Sequence, residues 1–299
     1  MNYIEKIKEL KDKKNAIILV HNYQRGEVQE VADYLGDSLE LSRKANTTNA
    51  EIIVFCGVRF MAETAKILSP DKKVLMPREE AGCPMANMVT PEDVLEMRKK
   101  YPNAKVVSYV NTNADVKAVS DVCCTSANAV KVVENVESDE ILFVPDKNLG
   151  SYVKRFVDKD IILWEGFCYV HDNISKEEVI QAKKKSPEAL LLVHPECRPE
   201  VIDIADEVLS TSGMIKFAKE SNAKSFLIGT EEGILYRLKK ENPEKDFFTA
   251  GKAMICSDMK STRQEDVYSA LKEEKHEVTL KTEIINASKK ALEEMLRYV

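Results

Sequence analysis

No run of 18 apolar residues occurs in the 299-residue sequence, so no segment offers a membrane-spanning helix. A basic excess is missing as well. The 44 Lys and Arg stand against 50 Asp and Glu, a formal net charge of −6, which argues against a nucleic-acid binder. The opening MNYIEKIKELKDKKNA reads as an amphipathic helix and lacks the apolar stretch of a signal peptide. There is no C-x-x-C pair among the seven cysteines, which removes zinc-ribbon and thioredoxin motifs. An odd number of thiols in a chain read as unexported points to reduced cysteines and a cytoplasmic location. Neither a low-complexity tract nor a long Pro/Gly/Ser linker interrupts the chain, so any subdomains must pack closely.

What is present is alternation. Short apolar runs rich in β-branched residues recur at AIILV (16–20), EIIVF (51–55), KVVSYV (105–110), EILFV (140–144), ALLLV (189–193) and KSFLI (224–228). Helix-period segments such as TPEDVLEMRKKY (90–101), SKEEVIQAKKK (175–185) and TRQEDVYSALKEE (262–274) separate them. Continuously apolar strands between amphipathic helices predict buried parallel strands in an α/β architecture.

The chain also repeats itself. His21, Tyr109 and His194 each end an apolar run; twelve residues on stand Asp33, Asp121 and Asp206, and seventeen on stand Ser38, Ser126 and Thr211. A second apolar run follows in each copy, then a helical stretch and a cysteine: Cys83, Cys168 and Cys256, spaced by 85 and 88 residues. The spacing predicts three three-layer αβα units with short parallel sheets, spanning 1–87, 88–172 and 173–260, around a pseudo-three-fold axis. A tail over 261–299 is expected to carry a helix, a short strand at HEVTL (276–280) and a last helix, packed on the repeats.

Equivalent residues of three such units converge. Parallel sheets bind ligands at the carboxyl ends of their strands, where His21, Tyr109 and His194 fall. The hydroxyls at Ser38, Ser126 and Thr211 sit at loop-to-helix turns and read as N-caps; three helix N-termini on one axis would also make an anion site for phosphate or carboxylate. The Asp series reads as structural hydrogen bonding at the loops, with Asp33 a candidate to orient a site residue. Three thiolates meeting on the axis could hold zinc or an iron–sulfur cluster and leave one metal position open to substrate. Cys56, Cys123 and Cys124 fall outside the register and read as core residues, and Cys197 has no required role.

HNYQRGEVQEVADYLGDSLELSRKA (21–45), GVRFMAETAKILSPDKKVLMP (57–77), GCPMANM (82–88), TSANAV (125–130), PDKNLG (145–150) and HPEC (194–197) resemble the quinolinate synthase family over essentially the whole chain. The resemblance implies one [4Fe-4S] cluster per chain, held by Cys83, Cys168 and Cys256, with one open iron acting as Lewis acid. It implies condensation of iminoaspartate with dihydroxyacetone phosphate to quinolinate, phosphate and water, for NAD biosynthesis. An aspartate-oxidising enzyme would supply the iminoaspartate. Substrate-binding residues carried over are His21, Ser38, Tyr109, Asn111, Ser126, His194, Glu196 and Thr211. Tyr23, Glu196 and His194 are the catalytic candidates, Tyr23 and Glu196 as general acid and base, and a partial positive charge is expected on His21 and His194. Two departures from the family pattern are Gly166-Phe167-Cys168 in place of Gly-His-Cys, and MKSTRQEDVY after Cys256. Three rivals share some of these features: an open-cluster hydro-lyase acting on a di- or tricarboxylate, a non-enzymatic iron–sulfur sensor, and a zinc enzyme using the same thiolates.

Overall fold

The computed structural model describes residues 3–252 and 254–298. Strands β1 (Ala16–His21), β2 (Tyr34–Gly36), β3 (Ile52–Cys56) and β4 (Lys73–Leu75) pair in the order β2-β1-β3-β4. Strands β5 (Lys105–Tyr109), β6 (Val122–Cys124), β7 (Glu140–Val144) and β8 (Asp160–Leu163) pair as β6-β5-β7-β8. Strands β9 (Leu190–Val193), β10 (Glu207–Val208), β11 (Ser225–Gly229) and β12 (Asp246–Thr249) pair as β10-β9-β11-β12. Every ladder within these sheets is parallel. The chain is therefore α/β, with three separate sheets of identical topology flanked by helices.

The apolar runs become strands because both faces are covered. All five residues of β3 are buried, as are the last four of β1, β5 and β7. The opening helix, Tyr3–Lys13, buries Ile7 against the β1–β3 face. The first and second sheets share one core, in which Leu19, Phe55 and Phe60 join Val107, Phe143 and the tail residues Leu292 and Met295.

The Asp series explains why the repeat has its period. Asp33 accepts the Ile18 N–H at 2.8 Å, Asp121 the Val106 N–H at 2.8 Å and Asp206 the Leu191 N–H at 2.7 Å. In return, their own N–H groups donate to the carbonyls of those residues at 3.0 Å in all three copies. A cation closes each arrangement: Lys11 on Asp33, Arg98 on Asp121 at 2.7 Å and Lys183 on Asp206 at 2.9 Å. These carboxylates clamp the edge strand to its neighbour, and among the described residues the Asp33 side chain meets Ile18 and Lys11.

The tail departs from expectation at 276–280. Helices Gln264–Glu273 and Thr282–Met295 form, but HEVTL contributes only an isolated antiparallel bridge, Glu277 to Leu75. Glu274 and His276 hold φ at 51° and 59°, which turns the chain before any extended run can build. The last helix docks beside the second sheet, where Asn128 donates its side-chain amide to the Tyr298 carbonyl at 3.1 Å.

Asp121→Ala leaves the Val106 N–H without its carboxylate and Arg98 with only the Val119 carbonyl to donate to. Urea titration should show a loss of about 1–3 kcal/mol, with turnover per folded molecule unchanged. An unaltered midpoint would mean that the clamp contributes nothing.

Candidate active site

The carboxyl ends of β1, β5 and β9 point into one cavity. His21 and Tyr109 end their strands, His194 follows β9 directly, and all three are buried. The cavity wall brings together every site residue anticipated from the sequence: His21, Tyr23, Ser38, Tyr109, Asn111, Ser126, His194, Glu196 and Thr211, with Cys83, Cys168 and Cys256. Asn111 Oδ1 is buried there with no hydrogen-bond partner among the described residues, an acceptor left for a ligand.

Each cysteine loop is tied to its sheet by the same backbone bond. Arg59 N–H donates to Ala81, Lys147 N–H to Gly166 and Glu232 N–H to Met254, each at 2.9 Å. Those acceptors lie two residues before Cys83, Cys168 and Cys256 respectively. All three thiols are half-buried and free of disulfides. Burial pushes them up, Cys83 to about 12, and the Cys83 and Cys256 sulfurs repel each other's ionisation, as do those of Cys168 and Cys83. Thiols so hard to ionise become thiolates when a cation binds between them. The donor set therefore fits a metal group. Cys168, His171 and Glu196 also present one ligand atom each within 4.8 Å of one another.

The histidines are set for neutral donation. Tyr23 N–H donates to His21 Nδ1 at 3.2 Å, and Glu196 N–H donates to His194 Nδ1 at 3.3 Å. With Nδ1 accepting, the proton resides on Nε2. Burial, with Lys260 nearby, depresses His21 to about 3; burial, with two further imidazoles nearby, depresses His194 to about 3. The partial positive charge expected on these rings is therefore absent near neutrality.

Glu196 is the ionised centre. Burial alone would raise its carboxyl, yet the nearby His171 and His194 rings and the Tyr109 hydroxyl outweigh that and hold it at about 2. Tyr109 donates its hydroxyl to Oε1 at 2.5 Å, and His171 Nδ1 lies 2.8 Å from Oε2. The other face of His171 meets Thr230, Nε2 to Oγ1 at 2.8 Å, and Thr230 Oγ1 meets the Tyr23 hydroxyl at 2.5 Å. A chain of contacts thus runs Glu196–His171–Thr230–Tyr23. Burial and the Glu196 charge raise both Tyr23 and Tyr109, so both phenols hold their protons at rest.

His171 and Thr230 escaped the sequence reading. His171 was detectable: the chain has four histidines, and this one stands three residues after Cys168. Thr230 carries no spacing signal, although it directly follows β11.

The hydroxyl series needs correction. Asp37 caps the helix Ser38–Thr47, accepting from Leu39 N–H at 3.1 Å and Glu40 N–H at 3.0 Å. Ser210, rather than Thr211, caps Thr211–Glu220. Ser38 and Thr211 are the first helical residues, one position past the cap. The helix Ala129–Asn135, beyond Ser126, has no side-chain cap bond, which makes this the end most open to an anion.

Thiols, the imidazoles of His21, His171 and His194, and the Glu196 carboxylate around one buried cavity define an enzyme site suited to a metal and to oxygen-rich anions. The family model described as quinolinate synthetase A protein matches residues 5–297. A quinolinate synthase of Caldicellulosiruptor saccharolyticus is 56% identical over 298 residues, with 98% of each chain covered. Those of Thermodesulfovibrio yellowstonii and Methanoregula boonei are 55% and 53% identical, over 99% and 98% of this chain and 98% and 97% of theirs. The chain belongs to the quinolinate synthase family, and it is an enzyme of NAD biosynthesis whose product is quinolinate.

The depressed histidines set a pH dependence. An imidazole at 6.5 when unfolded and about 3 when folded takes up protons preferentially in the unfolded chain as pH falls. Stability should be fully present above pH 6.5 and decline steadily toward pH 3. Thermal melts of the metal-free protein between pH 5 and 8 check this, and replacing His21 and His194 together by Gln should flatten the slope.

Proposed function

We propose that this cavity condenses iminoaspartate with dihydroxyacetone phosphate, releasing phosphate and two waters to give quinolinate. Atoms balance without an oxidant, so the chemistry is carbon–carbon and carbon–nitrogen bond formation, proton transfer and dehydration. The observation that carries the reading is the convergence of three cysteine loops on the pocket into which His21, Tyr109 and His194 also open.

Cys83, Cys168 and Cys256 hold a [4Fe-4S] cluster, one per chain, in this reading. With three protein ligands and one open iron, the bound cluster supplies a Lewis acid for loss of water. Other groups bind and move protons. His21 and His194 donate through Nε2 to substrate oxygens, and the Asn111 carbonyl accepts from a substrate hydroxyl or imine. Ser126, at the uncapped helix end, takes phosphate or carboxylate, with Ser38 and Thr211 completing anion recognition. Tyr23 faces substrate: as its phenol oxygen takes a substrate proton, its own proton passes to Thr230 and the Thr230 proton to His171, and the reverse movement lets Tyr23 act as general acid. Glu196 stabilises the imidazolium so formed, much as a buried carboxylate does in a hydrolase triad. Glu196 thus acts as the anchoring base of the relay and Tyr23 as the group facing substrate.

The Ser126 end favours this reading over a hydro-lyase, which has no phosphate to bind. The Glu196–His171–Thr230–Tyr23 relay would be idle in a sensor. An aspartate-oxidising enzyme in the same cytoplasm supplies the unstable imine.

Anaerobic reconstitution with iron and sulfide, then an assay for pyridine dicarboxylate from oxaloacetate, ammonia and dihydroxyacetone phosphate, tests the reaction. Product formation that tracks cluster content is expected; zinc-loaded protein of equal activity would reject the cluster. Replacing any one of Cys83, Cys168 or Cys256 by Ala should remove the visible absorbance and the activity together. Thr230→Val and Glu196→Gln should keep the cluster and lower kcat on the order of a hundredfold or more. Near-parental turnover in either would remove that residue from the relay.

A further inference from the structure

One buried ion pair without an assigned role touches two of the working residues at once. Glu231 follows Thr230 and is fully buried. Its carboxylate accepts the Gly233 N–H at 2.7 Å and the Cys256 N–H at 3.2 Å, and meets the Lys260 ammonium at 2.8 Å. Lys260 lies in the 3-10 turn Met259–Ser261, and its own N–H donates to the Cys256 carbonyl at 3.0 Å. The ammonium also donates to the Tyr23 carbonyl. The approach is close: a β-carbon on Gly233 would overlap both the Tyr23 carbonyl oxygen and Lys260 Nζ.

The pair is particular to one copy. Val58, Asp146 and Glu231 hold the same place, each just before the residue whose N–H ties down a cysteine loop. Val58 is apolar, and Asp146 caps the helix Lys147–Val153 without a cationic partner among the described residues. Only the third copy, against which Tyr23 packs, has the cation. A buried pair is a poor source of stability, because desolvation offsets its attraction. What it does provide is direction, since both charges must be met at fixed distances.

We propose that Glu231 and Lys260 are positioning residues that lock the Cys256 loop to the Tyr23 loop, keeping the metal site and the Tyr23 phenol at one spacing. The inference rests on the reading of Cys256 as a ligand and Tyr23 as the working acid. The displacement of either loop would act on the aligned step rather than on the anion contacts, so kcat falls and KM stays.

Lys260→Met, Glu231→Gln and the double variant, reconstituted anaerobically, are compared for iron content, iron release to a chelator, kcat and KM. Full iron content is expected, with release faster by about tenfold and kcat lower by about tenfold to a hundredfold at unchanged KM. The double variant should be no worse than the poorer single, because the pair acts as a unit. Parental release and kcat in Lys260→Met, or single losses that multiply in the double, would overturn the proposal. Should Lys260→Met fail to fold, Gly233→Ala keeps both charges and presses on the Tyr23 carbonyl; it must show the same two effects, and parental behaviour there rejects the proposal. Iron retained by Cys256→Ala, or full turnover in Tyr23→Phe, would instead reject the ligand or acid reading and the inference with it.

Discussion

The site depends on a backbone hydrogen bond that the chain makes three times. In each copy an N–H just past the third strand (β3, β7 or β11), from Arg59, Lys147 or Glu232, reaches the carbonyl two residues before a cysteine. Because only main-chain atoms take part, the flanking sequences are free to differ, and they do: EEAGCPMAN, WEGFCYVHD and AMICSDMK have little in common beyond the cysteine. The constraint is steric where it is tightest. A side chain at Gly166 would collide with the Pro145 carbonyl, so the second loop needs glycine to come close enough. Parallel strands fix where each loop begins, the bond fixes where it turns, and side-chain contacts that differ from copy to copy, such as Asp258 on the Gly82 N–H and Glu231 on the Cys256 N–H, complete each loop.

Burial then decides the charge states inside. A buried pocket penalises every ion in it, so His21 and His194 are neutral and the Tyr23 and Tyr109 phenols protonated. Glu196 is the exception, since imidazole and phenol surround both of its oxygens. With the Glu196 oxygens engaged by Tyr109 and His171, the wall offers N–H and O–H groups to substrates that bring their own carboxylates and phosphate. Low dielectric strengthens each of those contacts once the ligand has displaced water.

How much of this was readable in sequence follows from which features repeat. The period of 85–88 residues exposed the three sheets, the strand-end trio and the cysteines, because each has an equivalent in every copy. The Asp clamps were legible for the same reason. His171, Thr230, Glu231 and Lys260 are not repeated in every copy, and their contacts join segments far apart in sequence, such as Tyr23 with Thr230. A search by spacing cannot find what occurs once. Nor can spacing choose between neighbours: Asp37 and Ser38, or Ser210 and Thr211, suit a helix start equally on composition, and only backbone geometry separates the cap from the first helical residue. HEVTL alternates like a strand, but the left-handed turns at Glu274 and His276 lie outside anything its pattern records.

A threefold scaffold can gather three identical ligands, but joining two unlike substrates demands that its copies stop being alike. The divergence has a direction. His194, Glu196, Thr230 and Glu231 all come from the ends of β9 and β11, so the third sheet carries the base side of the relay. The first sheet lends it Tyr23 and the second lends it Tyr109, both phenols that reach across to third-sheet acceptors. Equivalent positions were altered to suit: the end of β5 holds Tyr where β1 and β9 lead to His, and Glu231 stands where the first copy has Val58. Symmetry therefore explains where the thiols meet, whereas the chemistry comes from the places where symmetry is broken, with proton donors from two sheets converging on the carboxylate and imidazole held beside the third.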